Sequence, residues 1–224
     1  MRRFASKLLL VFGLLLIPWS FALAGPILDF NMNASHPAGA QISFAGGTNP
    51  LIGVSIGVDT VLGLATPDNS GSELDITNGV LAFTTGNFSG STATSWMFAG
   101  GGTITLTGTI SSIGINDPAQ LIHGTFTSAS VIPGVGTDFK VAITSFIDDK
   151  NETLAGYYGL DGMPGWVGNF NLSFTATAIP PGSFTSASVL SGDIYNTPVP
   201  EPGTLILVGI GLLGTVGFAR FYRR

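Results

Sequence analysis

Three stretches of this chain place reactive side chains close enough in sequence to suggest chemistry. Gly53-Val54-Ser55-Ile56-Gly57 has the G-x-S-x-G spacing of a nucleophile elbow, where a sharp strand-to-helix turn lifts a serine hydroxyl toward a base. The available bases are His36 and His123, and no helical pattern follows Ser55, so hydrolase chemistry there is set aside. Asp148-Asp149-Lys150-Asn151-Glu152 and Asp68-Asn69-Ser70-Gly71-Ser72-Glu73-Leu74-Asp75 are the oxygen-rich stretches. Calcium takes roughly six to eight oxygen ligands, which makes Asp148, Asp149, Asn151 and Glu152 a candidate metal set. Neither stretch has EF-hand spacing, and solvated turns share this composition. A carboxylate pair such as Asp148 and Glu152 is also the minimum equipment for glycoside hydrolysis. These acids follow a strand in a hydrophilic segment, where water should keep them all ionised, and a general acid needs the opposite. Two histidines cannot supply a three-histidine zinc site, and the absence of cysteine removes disulfides, thiolate nucleophiles and cysteine-metal sites. No resident cofactor is expected, and the chain is read as having no catalytic activity.

The elements that position these residues read as strands. In Thr103–Ile110 the threonines fall on one face and Ile104, Leu106 and Ile110 on the other, and Asn169–Thr177 repeats the pattern with Phe170, Leu172 and Phe174. Phe139, Val141 and Ile143 share a face in 138–147. Further candidates are 27–32, 41–45, 51–58, 80–84 and 95–99, separated by Gly46-Gly47, Asn78-Gly79, Gly100-Gly101-Gly102, Pro133-Gly134 and Pro180-Pro181-Gly182. Gly124–Val131 is echoed by Gly182–Val189, read as two strands in similar positions. Short strands at this spacing, with no convincing soluble helix, predict an all-β fold, an antiparallel β-sandwich of jelly-roll type.

Both ends of the chain differ from this middle. Met1-Arg2-Arg3 and Lys7 precede an apolar run from Leu8 to Ile17, and Ala22-Leu23-Ala24 stands before Gly25. That is the order of a secretory signal peptide over residues 1–24, cleaved at Ala22/Ala24 to leave Gly25 first and delivered by the general secretory translocon. At the other end, Val199-Pro200-Glu201-Pro202-Gly203 leads into an uncharged run, Thr204–Ala219, and then Arg220-Phe221-Tyr222-Arg223-Arg224. Sixteen helical residues span about 24 Å against a hydrocarbon core of about 30 Å, a short membrane helix that Phe218, Phe221 and Tyr222 extend, with its arginines inside. Gly209–Gly214 fits G-x-G-x-x-G but lies inside this apolar run, where packing of small residues explains it better than a dinucleotide.

This tail resembles the sorting signal of PEP-CTERM proteins: a Pro-Glu-Pro box (Val199, Pro200, Glu201, Pro202), a short membrane helix and a basic end (Arg220, Arg223, Arg224). The resemblance covers the last tenth of the chain, and Phe221-Tyr222 interrupts a basic end that is usually more continuous. It implies an exosortase as partner, transient anchoring in the membrane, and release to the surface or exopolysaccharide matrix of a Gram-negative bacterium. A plain anchor that is never removed is the rival. The organisation is then 1–24 signal peptide, 25–196 ectodomain, 197–203 stiff Pro-rich spacer and 204–224 sorting helix with its basic tail.

Between Gly25 and Val199 twelve acidic residues face only Lys140 and Lys150, a formal charge of −10 hidden within the −5 of the whole chain. Such a surface repels nucleic acid and anionic lipid headgroups. The leading expectation is a non-catalytic surface or matrix protein with exopolysaccharide as a candidate partner. A carbohydrate-binding or adhesion module using Trp96, Trp166, Tyr157 or Tyr158, and a polysaccharide hydrolase, are the alternatives.

Overall fold

Alternation of polar and apolar residues is what the backbone follows through most of the chain. The computed structural model describes residues 25–33 and 39–199, which form one antiparallel sheet of twelve strands. In order these are β1 (Ile27–Asn33), β2 (Gln41–Phe44), β3 (Pro50–Leu64), β4 (Glu73–Asp75), β5 (Thr77–Thr92), β6 (Ser95–Phe98), β7 (Gly101–Ile110), β8 (Ile115–Pro133), β9 (Asp138–Lys150), β10 (Trp166–Thr175), β11 (Phe184–Thr185) and β12 (Ser188–Pro198). One short helix, α1 (Glu152–Tyr157), follows β9.

Several strands are pieces of longer ones. β1 and β2 lie end to end along one edge of β3, and β4 and β5 lie end to end along the other. β6 and β7 fill the space between β5 and β8, while β11 pairs with β2 and β12 with β1. The result is eight long antiparallel staves in chain order, β1-β3-β5-β7-β8-β9-β10-β12, and the last bonds to the first. The sheet therefore closes into an up-and-down barrel, which leaves no long unpaired edge. The expected jelly-roll sandwich is replaced by this closed sheet. Strand alternation and turn spacing are the same in both; pairing of Leu28 with Asn196 decides between them, and no local pattern encodes it.

An eight-stranded barrel leaves an interior just wide enough for side chains to fill. Here Phe44, Phe98, Trp96, Phe139, Phe174 and Phe184 interlock at one end, and Phe83, Phe126, Phe146 and Phe170 run across the middle. Rings this large need gaps opposite them. A Cβ on Gly53 would overlap the Phe83 ring, one on Gly63 the Tyr158 ring, and one on Gly168 the Phe146 ring. Ile104, Leu106, Ile110, Phe170, Leu172 and Phe174 all point inward, as their alternation predicts.

The face prediction fails halfway along β9, for a physical reason. Phe146 pairs with Gly168 but Ile143 with Phe170, so β9 carries one extra residue between them, a β-bulge. One extra residue exchanges the inner and outer faces beyond it. Phe139 and Val141 point in before the bulge; after it Phe146 and Asp148 point in, and Ile147, 60% exposed, points out. The end of β9 therefore enters the barrel as Asp148 and Lys150 instead of ending as a solvated acidic loop.

Gly124–Val131 lies within β8, whereas Gly182–Val189 covers β11 and the start of β12; in both, the phenylalanine, Phe126 or Phe184, is buried.

Candidate functional site

The bulge in β9 brings two opposite charges into the barrel, at the end where β9 and β12 finish and β1 and β10 begin. The side chains of Asp148 and Lys150 are 0% and 1% exposed, and they form an ion pair. Asn196 on β12, fully buried, donates its Nδ2–H to Asp148 Oδ1 at 2.9 Å. The Lys150 ammonium lies 5.1 Å from the centre of the Trp166 ring, an attraction to the π face that adds to the ion pair. Burial pulls the Lys150 pKa well below its ordinary value, and the Asp148 carboxylate opposes that pull.

Helix α1 and the loop after it cover this end. Asn151 is the N-cap: its Oδ1 accepts from the N–H groups of Thr153 at 3.1 Å and Leu154 at 3.2 Å. Leu154 and Ala155 of α1 and Tyr158 and Leu160 of the loop are buried. The Tyr158 hydroxyl shares its one proton between the carbonyls of Val61 and Ser72, at 3.1 and 3.0 Å, which ties the loop to β3 and to the segment before β4. Burial raises that hydroxyl to about 12. A cavity of about 250 Å³ remains, lined by Asp149, Lys150, Glu152, Leu160, Asp161 and Trp166 among others.

The candidate metal set does not converge. Asp148 is inside and occupied by Lys150 and Asn196, Asp149 is on the outer face, and Asn151 is spent on the helix cap. Glu152 is exposed in the first turn of α1, and among the described residues no three acidic or histidine side chains gather at metal-binding distance. The second oxygen-rich stretch places Glu73 and Asp75 on β4, with Leu74 turned inward between them. Ser55 has a positive φ of 54° in an irregularity of β3 opposite β5, and β3 runs on to Leu64 with no helix to complete an elbow. His123 is exposed on β8, 3.5 Å from the Thr105 hydroxyl; His36 lies outside the described residues. Trp96 and Tyr158 are fully buried, Trp166 is 3% exposed and Tyr157 is half-buried, so they form no open platform for a sugar ring. The Asp148–Lys150–Asn196 group and α1 were not read from the sequence. Asn151-Glu152-Thr153-Leu154 carries a cap signature that marks α1, whereas nothing local marks the interior group.

A second cluster lies outside the barrel on the closing seam. Asp29 stands opposite Tyr195 on β12 and opposite Leu62 on β3, the partner of Glu73. Partial burial, then Asp193 and Glu73, raise its pKa from 3.8 to about 6, and its Oδ1 has no hydrogen-bond donor. A carboxyl whose folded pKa exceeds its unfolded one favours the fold below the lower value, and that contribution is lost as pH rises through the higher. Asp29→Asn should therefore stabilise the barrel above pH ~6 by about 1 kcal/mol after allowance for solvent screening, with no gain below pH ~4. Urea melts across that range check it; an equal gain at both ends would mean the carboxylate charge is irrelevant.

The same seam leads to the tail. β12 runs to Pro198, which pairs with Trp166, and the Val199 N–H donates to the Gly165 carbonyl at 2.9 Å. Thr197 and Pro198, read from the sequence as the start of a spacer, are part of the barrel wall. From Pro198 onward, residues 198–224 match the family model of the PEP-CTERM protein-sorting motif. The tail carries a PEP-CTERM sorting signal. Val199, Pro200, Glu201, Pro202, Arg220, Arg223 and Arg224 all fall within the match, and the motif marks the chain as exported and sorted by an exosortase. Pro200 to Arg224, where a membrane helix is expected, lie outside the described residues, as do Ala22, Ala24 and the rest of the expected signal peptide. Comparison with curated proteins and with solved structures gave no match. Because β1 and β12 are neighbours, Gly25 and Val199 leave the barrel side by side at the end that α1 covers.

Proposed function

We propose that this chain is a non-catalytic structural protein of the bacterial surface or exopolysaccharide matrix, exported by its signal peptide and released from a transient anchor by an exosortase. The observation that carries the proposal is the PEP-CTERM motif, which starts on the last residue of the barrel's closing strand. The filled interior supports a passive role, because the one carboxylate placed in it among the described residues, Asp148, is held by Lys150 and Asn196. The expected product starts at Gly25 and loses its tail within 199–203. Mass spectrometry of the surface-located protein checks this, and mature chains still ending at Arg224 would leave a simple anchor.

A second reading is recognition of a sugar residue. The cavity beside Trp166 favours it, because Asp149, Glu152 and Asp161 can accept hydrogen bonds from hydroxyl groups there. Calorimetric titration of the barrel with the producer's own polysaccharide separates the two; binding abolished by Asp161→Ala would favour recognition.

A further inference from the structure

Across the closing seam the pairing register lines up outward-facing side chains in rows. One row runs Asn169 on β10, Tyr195 on β12, Asp29 on β1 and Leu62 on β3, and Glu73 on β4 ends it. The next row sets Asp193 between Asn171 and Asn31, with Thr60 and Asp75 beyond. Strands lie about 4.8 Å apart, so five of them make a face about 19 Å across. Both rows carry carboxylates and neither carries a lysine, arginine or histidine; exposed Lys140 lies outside them, opposite Ser173 and Ile132. Asp29 and Asp193 are diagonal neighbours across the seam, where like charges repel. Two acceptors are left over as well: Asp29 Oδ1 and Asn171 Oδ1 are buried and take no hydrogen bond from any described residue. In the midst of these groups Tyr195 is 40% exposed. The Asp29 charge, then partial burial, then Asp193 hold its hydroxyl above the ordinary value, so the phenol is within electrostatic reach of both acids.

Such a face suits a partner rich in hydrogen-bond donors and positive charge. A second copy of the chain brings the same acidic surface and is repelled. A peptide gains most from a sheet by adding a strand to an unpaired edge, but β1 and β12 are each bonded on both edges. A glycan needs no edge, because it is held by side chains. An exposed phenol offers an apolar face to a sugar ring and attracts an ammonium group lying over it. We infer that the outer face of the closing seam is a docking surface for an amine-bearing glycan, a chain of amino sugars with free ammonium groups. Tyr195 stacks on a sugar ring, Asp29, Asp193 and Glu73 take the ammonium groups, and Asn169 and Asn171 take hydroxyls. This goes beyond the proposed structural role and needs neither the tail nor the cavity beside Trp166.

Calorimetric titration of the full-length chain in neutral detergent tests it, at pH ~6.5, just above the Asp29 value of about 6. The probes are a glucosamine hexamer, its N-acetylated counterpart and hexalysine. The glucosamine hexamer should bind about tenfold more tightly than the acetylated one, which keeps the rings and loses the charge. Tyr195→Ala, and the double variant Glu73→Gln with Asp193→Asn, should each weaken it by about tenfold. Asp29→Asn should weaken it about threefold without destabilising the barrel, a combination that a purely structural role for Asp29 does not produce. Equal binding of the two glycans, or binding of neither, would overturn the inference. Hexalysine bound as tightly as the glucosamine hexamer and indifferent to Tyr195→Ala would overturn it in favour of a basic peptide. Asp161→Ala should leave the affinity unchanged; a loss there would move the binding to the cavity beside Trp166 and overturn the seam assignment.

Discussion

Lys150→Met should lower the unfolding free energy of the barrel by about 3–5 kcal/mol, the cost of leaving a buried charge without its partner. Asp148 is the charge left behind, wholly screened from water, with only the Asn196 amide to accept from. Methionine has the length to fill the space along Trp166, so lost packing contributes little. The double variant Asp148→Asn with Lys150→Met removes both charges and keeps an amide beside Asn196. It should recover most of the loss, because a buried ion pair repays little more than its own desolvation. The loss in the single variant should also shrink as pH falls, because burial without a cationic partner favours the protonated form of the orphaned carboxyl. Urea melts of the three proteins at pH ~4 and ~8 decide the matter. A single variant within 1 kcal/mol of wild type, about the worth of an exposed pair, would mean that the pair reaches water.

Leu172→Asp is the second large effect, and it tests the barrel instead of the charge. Leu172 is 0% exposed at the centre of β10, between Val141 on β9 and Gly192 on β12. Among the described residues, no cation is paired opposite it. Burying an unpaired carboxylate there should cost several kcal/mol, a large fraction of the roughly 5–15 kcal/mol that stabilises a domain. Ser173→Asp, one residue on and facing outward opposite Lys140, should stay within about 0.5 kcal/mol of wild type. Thermal melts of the pair provide the check. Similar melting temperatures would mean that β10 does not alternate between core and solvent.

The seam explains why the two ends of the molecule have to be considered together. β1 and β12 close the barrel, and the predicted signal-cleavage site and the sorting box adjoin those two strands in sequence. Ionisation of Asp29, opposed by its partial burial and by the neighbouring charges of Asp193 and Glu73, weakens the same seam as pH rises, so the stability of the seam is tuned by a group that a strand-by-strand reading treats as a plain solvated position.

Local chemistry by itself determined much of this protein. Period-2 alternation over Thr103–Ile110 and Asn169–Thr177 gave the inward faces, because a strand has only two sides. Three short features in fixed order made the tail legible, since a Pro-Glu-Pro box, an apolar run and terminal arginines need no tertiary context. Tertiary structure decided the rest. Closure into a barrel depends on β12 meeting β1 across nearly the whole described chain, and alternation is identical in a sandwich. The bulge in β9 is one residue of slack relative to its neighbours, visible only once β10 lies alongside. That slack turned Asp148 and Lys150 from an expected solvated loop into a buried ion pair, because a shift of one residue in a strand exchanges its two faces.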